Sequence, residues 1–354
     1  MTQSVERLDV VAIQRRTVRL LVVAQAVGAV GITVGVSTAS LLARDLSGSE
    51  AQAGYVQSVQ VLGAAAFAYL LARLMAARGR RVGQVSGLLF GAAGALLAVV
   101  AGEIGSMSLL LFGALLLGST SAANAAARYA ASDLAEPEHR ARDLSMVVWA
   151  TTIGAVLGPN LSGPSGDFAE AVGVPELTGP FLVGGLVMLV TAAVVWIGMR
   201  PDPLLVARDL ARDPAAAPDS DAVASNDVST VRVILGDRLL LAAVVAQACA
   251  HAAMIAVMIM TPLHMEHGGA SLDVIGFVIS IHVLGMFAFS PLVGRACDCW
   301  GRGPVLVAGG IVLLVAVVIS GASHAGMSWH ISLGLFLLGL GWSLATVSAS
   351  ATIA

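Results

Sequence analysis

Charge is scarce in this sequence. Only 12% of its 354 residues are Asp, Glu, Lys or Arg, about half the roughly 25% of a soluble globular protein. Such a chain cannot cover a water-facing surface. Lysine is absent, and all 19 basic residues are Arg. There are three cysteines. Cys297 and Cys299 lie two apart with no His or Cys cluster beside them, which is an incomplete zinc set. A nucleophile elbow, a Walker loop and zinc-spaced His/Cys sets are all missing, so neither an enzyme nor an ATP-driven machine is expected. No cofactor, metal or nucleic-acid partner is expected either. Strand-like alternation is also absent, which excludes a membrane β-barrel.

What fills the chain instead is apolar. Hydrophobic residues make up 57%, and the mean hydropathy is +0.88. Crossing the roughly 30 Å hydrocarbon core takes about 20 apolar helical residues. Ten such runs lie at roughly 17–43, 53–76, 82–101, 106–131, 144–165, 177–199, 238–264, 273–296, 304–322 and 329–354. The first is too long for a signal-peptide core and others follow it, so it reads as a retained helix. The expected fold is an all-α polytopic membrane protein. Arg-rich loops stay in the cytoplasm. All Arg except Arg44 precede or open the first run or lie around the loops after runs 2, 4, 6 and 8. The N-terminal segment 1–16 is therefore expected in the cytoplasm, in a plasma membrane. The stretch 200–232 is small, acidic and Pro-rich ("RDPAAAPDSDAVASND") and reads as a disordered cytoplasmic linker. It divides a six-helix bundle, 17–199, from a four-helix bundle, 233–354.

Two loops correspond. The loop after run 8 reads G-R-A-C-D-C-W-G-R-G from Gly294, and the loop after run 2 reads A-R-L-M-A-A-R-G-R-R from Ala72. Repeated features in two halves mark transporters built from duplicated bundles. Gly294, Asp298, Gly301 and Arg302 resemble the best-known loop motif of the major facilitator superfamily. Gly79, Arg80 and Arg81 match its first-half copy, where Ala72 and Ala76 replace Gly and Asp. A third stretch, "GAVLGPNLSG", resembles the helix 5 motif of the family's drug/proton antiporter branches through Gly154, Gly158, Pro159 and Gly163, with Ser162 in place of a Gly. Ala114 stands where those branches usually carry Arg. Small residues four apart let helices touch at the backbone, and Pro bends the helix.

The resemblance implies pseudo-symmetric bundles working by alternating access on a small solute, in which one copy suffices. It implies twelve helices, so the last two are expected to be lacking. It also implies that Asp298 meets the start of the fifth helix of its own half. With that helix lacking and Ala76 replacing the other Asp, neither half-gate is expected to form. The helix 5 motif favours proton-coupled export of a hydrophobic or amphipathic compound. Nutrient uptake, or a non-transporting sensor or assembly factor, is the alternative.

Candidate working residues follow the helical period. Gln247, His251, Met254 and Met258 share one face of run 7. His251 lies 13 residues from His264, about 20 Å, and His282 lies nine from Asp273, about 14 Å, so both imidazoles are expected near mid-membrane. Both are proton-coupling candidates. Met254 and Met258 would suit a soft metal beside His251, but read first as packing residues. His264 and His267 are expected in an exposed loop. Thr120, Asn124 and Arg128 form a stripe on run 4, and the resemblance implies that it faces solute. Arg128 would bind an anionic or polar group, or pair in a gate with Asp133 or an acid on a neighbouring helix. Gln25, Trp342, Ser343 and Thr346 are further lining candidates, as are Trp149 and Asn160.

Overall fold

A computed structural model describes residues 2–212, 235–269, 272–323 and 329–353. The described residues are helical and contain no strand. With no water in the bilayer core, backbone groups must bond within their own segment, which a helix achieves. Among the described residues, nine helices are long and apolar enough to span, or ten when one bent pair counts as a single span. This agrees with the ten runs.

The chain divides into two compact units. One comprises Met1–Leu134 with Ile153–Asp209, and the other Ala135–Thr152 with Leu210–Ala354. The first holds α1 (Thr2–Ser47), α2 (Glu50–Arg78), α3 (Arg80–Ile104) and α4 (Met107–Ala130). It also takes the end of α5 (Arg140–Asn160), then α6 (Ser162–Ala171), α7 (Gly179–Gly198) and most of α8 (Pro203–Arg212). Its helices meet at paired glycines. A Cβ on Gly94 of α3 would lie 2.5 Å from Gly113 O on α4, and one on Gly113 would lie 2.8 Å from Gly94 O. Gly31 and Gly184 face each other in the same way between α1 and α7, and between α2 and α4 a Cβ on Gly63 would overlap Leu115 O and one on Gly118 would overlap Ala64 N and Gln60 O. Dispersion between close backbones holds helices together where lipid removes the hydrophobic drive.

The second unit holds the start of α5, then α9 (Arg238–His267), α10 (Leu272–Phe287), α11 (Ser290–Trp300), α12 (Arg302–Gly321) and α13 (Trp329–Ile353). Here α13 is the hub, packing on α9, α10, α11 and α12. It carries no charge, and its glycines admit neighbours. A Cβ on Gly339 would overlap His282 O on α10, and one on Gly341 would lie 2.8 Å from Leu313 N on α12. Most of α13 is buried, while Trp329, Leu333 and Ile353 stay exposed.

Residues 2–16 are helical and run on into the first span. Two sequence expectations change. The fifth run stops at Asn160, and α6 leaves at 62° to it. The stretch read as disordered begins with a ten-residue helix, α8. Asp202 starts it by accepting Leu204 N–H (3.1 Å) and Leu205 N–H (3.4 Å), the role of an N-cap. The remainder of that stretch, from 213 on, lies outside the described residues.

Candidate functional site

The two corresponding loops are built alike. Gly79 and Gly301 each separate two helices at φ 92° and 90°, a conformation open to Gly and strained for other residues. In the first unit Arg80 reaches Asp133, just past α4, with Nε to Oδ2 at 2.8 Å and Nη2 to Oδ1 at 2.9 Å. This forked pair takes the carboxylate that the sequence reading offered to Arg128. Arg128 instead lies 5.1 Å from the Tyr129 ring centroid. Its Nε is buried with no partner among the described residues. The Arg81 guanidinium lies over the Trp196 ring at 4.5 Å.

The acid missing at Ala76 has a stand-in that sequence reasoning missed. Asp202, the N-cap of α8, also accepts Arg81 N–H at 2.8 Å, so one carboxylate closes the starts of both α3 and α8. A Cβ on Gly79 would lie 2.5 Å from Asp202 Oδ2. Arg208 of α8 donates to Ala76 O at 2.6 Å, capping the end of α2. The charges suit the dipoles, with an acid at helix starts and a base at a helix end.

In the second unit Asp298 does find a fifth helix. Its Oδ2 accepts Arg142 N–H at 3.1 Å, at the start of α5. The expectation that no half-gate forms is therefore corrected. The partner is the fifth helix of the sequence's first half, not of its second. Gly294 fits against α5, since a Cβ there would overlap Ser145 Oγ and lie 2.8 Å from Ala141 O. Cys297 is buried in the same apolar cluster as Ala141 and Leu144, while Cys299 is exposed. Arg302 and Asp298 line one recess with Glu138.

The helix 5 motif splits by residue. A Cβ on Gly154 would overlap Ala29, and one on Gly158 would overlap Thr33 Oγ1, so α5 and α1 meet there. The Thr33 hydroxyl donates to Gly154 O at 2.7 Å. A Cβ on Gly163 would meet nothing within 4 Å among the described residues. The side chains of Pro159, Asn160, Met258 and His267 lie outside the described residues.

Two predicted stripes face each other across α9 and α13. Gln247 Nε2 donates to Thr346 Oγ1 at 3.2 Å, and Trp342 Nε1 donates to His251 Nδ1 at 3.0 Å. The Phe287 ring stands edge-on to Trp342 at 5.7 Å. Met254 packs in the adjoining core. Gln247 Oε1 and Ser343 Oγ are buried without partners among the described residues. An imidazole nitrogen that accepts a hydrogen bond carries no hydrogen, so His251 is protonated at Nε2 only. His282 behaves differently. It is 1% exposed, and its Nδ1 donates to Leu335 O at 2.9 Å. Its Nε2 is buried and has no partner among the described residues. The two imidazoles expected to act alike therefore differ: His251 is exposed and paired with Trp342, and His282 is enclosed. His264 is not in a loop but in the last turns of α9, 3.4 Å from Ser323 Oγ. Trp149 is exposed.

The stripe on α4 also divides. Thr120 is fully buried between α3 and α7, with Oγ1 3.6 Å from Met188 Sδ, and is taken up in packing against Gly91. Asn124 instead lines a small cavity with Gln25, Gln84 and Thr191.

Against known proteins, the sequence model of the Major Facilitator Superfamily matches residues 21–354. The chain belongs to the Major Facilitator Superfamily. It is 35% identical over 339 residues to the uncharacterized MFS-type transporter YddS of Bacillus subtilis (strain 168), covering 96% of this chain and 77% of that protein. It is 28% identical to the riboflavin transporter RfnT of Brucella anthropi, covering 96% of this chain and 80% of that one. The crystal structure of the MFS transporter FucP in the outward conformation shares the fold, with a TM-score of 0.63 at 18% identity. That alignment spans 95% of this chain and 88% of FucP. As a superfamily member the chain is a secondary transporter of small solutes, working by alternating access, and not an enzyme.

Proposed function

We propose that this Major Facilitator Superfamily member exports an amphipathic compound in exchange for protons, with His251 as the proton carrier. The observation that carries the reading is the Trp342–His251 hydrogen bond between α13 and α9. One lone pair on His251 Nδ1 serves either Trp342 N–H or an incoming proton, never both. Protonation therefore breaks a bond between two helices, which is how a proton biases a conformational equilibrium. His282 is the poorer carrier, because a proton on its enclosed Nε2 would find no acceptor there. The helix 5 glycines support the export direction by their likeness to the antiporter branches. The Arg distribution supports a cytoplasmic N-terminus in a plasma membrane. A second reading, uptake of a planar heterocyclic nutrient, is favoured by the 28% identity to a protein named as a riboflavin transporter.

Flux in proteoliposomes tests both. A lipophilic dye should move out of the cytoplasmic-side compartment only when a proton gradient opposes it. His251→Gln should reduce that flux to its gradient-free level, while His282→Gln should keep the pH profile. An unchanged profile in His251→Gln would reject the carrier role. Riboflavin accumulating in place of dye would favour uptake.

A further inference from the structure

At one end of the first unit, two guanidinium groups share one aromatic ring. Arg81, at the start of α3, lies with its Cζ 4.5 Å from the Trp196 ring centroid, and Arg200, just past α7, lies 5.8 Å from it. Asp202 ties the two segments together by accepting Arg81 N–H at 2.8 Å. Neither guanidinium has an ion pair among the described residues, and Arg81 Nε is buried without a hydrogen-bond partner there. The two acids bonded to this end of α3 are already engaged. Arg80 forks the Asp133 carboxylate, and the Asp202 oxygens accept backbone N–H groups. Two like charges around one ring repel each other, so an anion between them is favoured.

The surroundings narrow the anion. Trp196 closes an apolar stripe on α7, where Leu186, Leu189, Val190 and Ile197 are all exposed. From Leu186 to Trp196 is ten residues, about 15 Å along a helix. That is half of the roughly 30 Å hydrocarbon core, the depth of one leaflet. Trp rings settle at the level of the head groups, and Arg side chains reach the same level from below. The fitting ligand therefore carries an acyl tail for the stripe and a charged head for the guanidiniums. A phosphodiester offers two charged oxygens, which suit guanidinium forks. Free phosphate would leave the stripe unused, and a zwitterionic head would bring an ammonium group against two cations. We propose that Arg81, Trp196 and Arg200 bind a phospholipid of net negative charge, its phosphate on the guanidiniums and one acyl chain along the exposed face of α7. The site is independent of the solute and of the coupling ion.

Native mass spectrometry of the purified full chain tests this, with phosphatidylglycerol and phosphatidylcholine of identical acyl chains as probes. One phosphatidylglycerol should be retained about twentyfold better than phosphatidylcholine, and Arg81→Gln and Arg200→Gln should each cut its retention about fivefold. Trp196→Leu should also weaken it, because the ring holds both guanidiniums in place. Arg78→Gln removes an exposed charge nearby that stacks on no ring among the described residues, and should change little. Equal retention of the two lipids in the unmodified chain overturns the proposal. An Arg78→Gln loss as large as that of Arg81→Gln overturns it too, since any charge on a basic face would then serve. Displacement of the lipid by about 10 mM inorganic phosphate would show a phosphate site without a lipid requirement, and also overturns it. The unmodified chain gives a check that needs no variant. Its preference for phosphatidylglycerol should fall several-fold between about 0.1 M and 1 M salt, as screening requires, and a preference indifferent to salt rejects the guanidinium contacts.

Discussion

At the scale of single residues, the side chains that matter most pair across long sequence separations. Arg80 and Asp133 are 53 residues apart, and the fork between them is partly buried. Replacing one partner leaves the other charge half-desolvated. Asp133→Asn should lower stability by about 2 kcal/mol, between the values for exposed and buried pairs, read as a lower melting midpoint. Arg128→Gln should leave the midpoint nearly unchanged, because Arg128 makes no ion pair among the described residues. Sequence spacing offered the opposite pairing, since Asp133 is five residues from Arg128 and nothing local favours Arg80. The Gln247–Thr346 and His251–Trp342 contacts were more legible. A helical period puts Gln247 and His251 on one face, and their partners follow the same period on α13. The enclosure of His282 was not legible, because it depends on Gly339 letting α13 approach α10.

At the scale of the helix, small residues decide who touches whom, and a motif does not use all of its glycines. Gly158→Val should push α5 from α1 and destabilise the chain by about 3 kcal/mol, the upper part of the range for overpacking. Gly163→Val should fall within about 0.5 kcal/mol of the parent, as surface changes do, since a Cβ there meets nothing within 4 Å among the described residues. Melting of the two variants side by side checks both. The ten apolar runs were readable because bilayer thickness fixes their length. The bend after Asn160 and the short α6 were not, since the polar stretch Ser162–Asp167 reads equally as a loop. Helix α8 was hidden by the composition around it. Its amphipathic sequence PLLVARDLAR sits inside a segment otherwise rich in Ala, Asp and Pro.

At the scale of the molecule, α5 belongs to both units, its start to one and its end to the other. Asp298 holds that start through Arg142 N–H. Losing a charge-assisted hydrogen bond is worth about 1.5 kcal/mol or more, roughly a tenfold shift in any opening equilibrium. In a Cys249→Ala background, Asp298→Ala should raise the alkylation rate of buried Cys297 about tenfold and leave exposed Cys299 unchanged. Equal rates for Cys297 with and without Asp298 would show that the carboxylate restrains nothing. The first unit has no such loop acid, and Asp202 works from the far side of the last span instead. That arrangement decides where the gene could be split into two co-expressed polypeptides. A cut after Arg200 would look natural, because α7 ends at Gly198. It would also strip α3 of its cap and free the end of α2. The seam that keeps both caps with the first polypeptide lies beyond Arg212, so its capped helices depend on residues past its last membrane span.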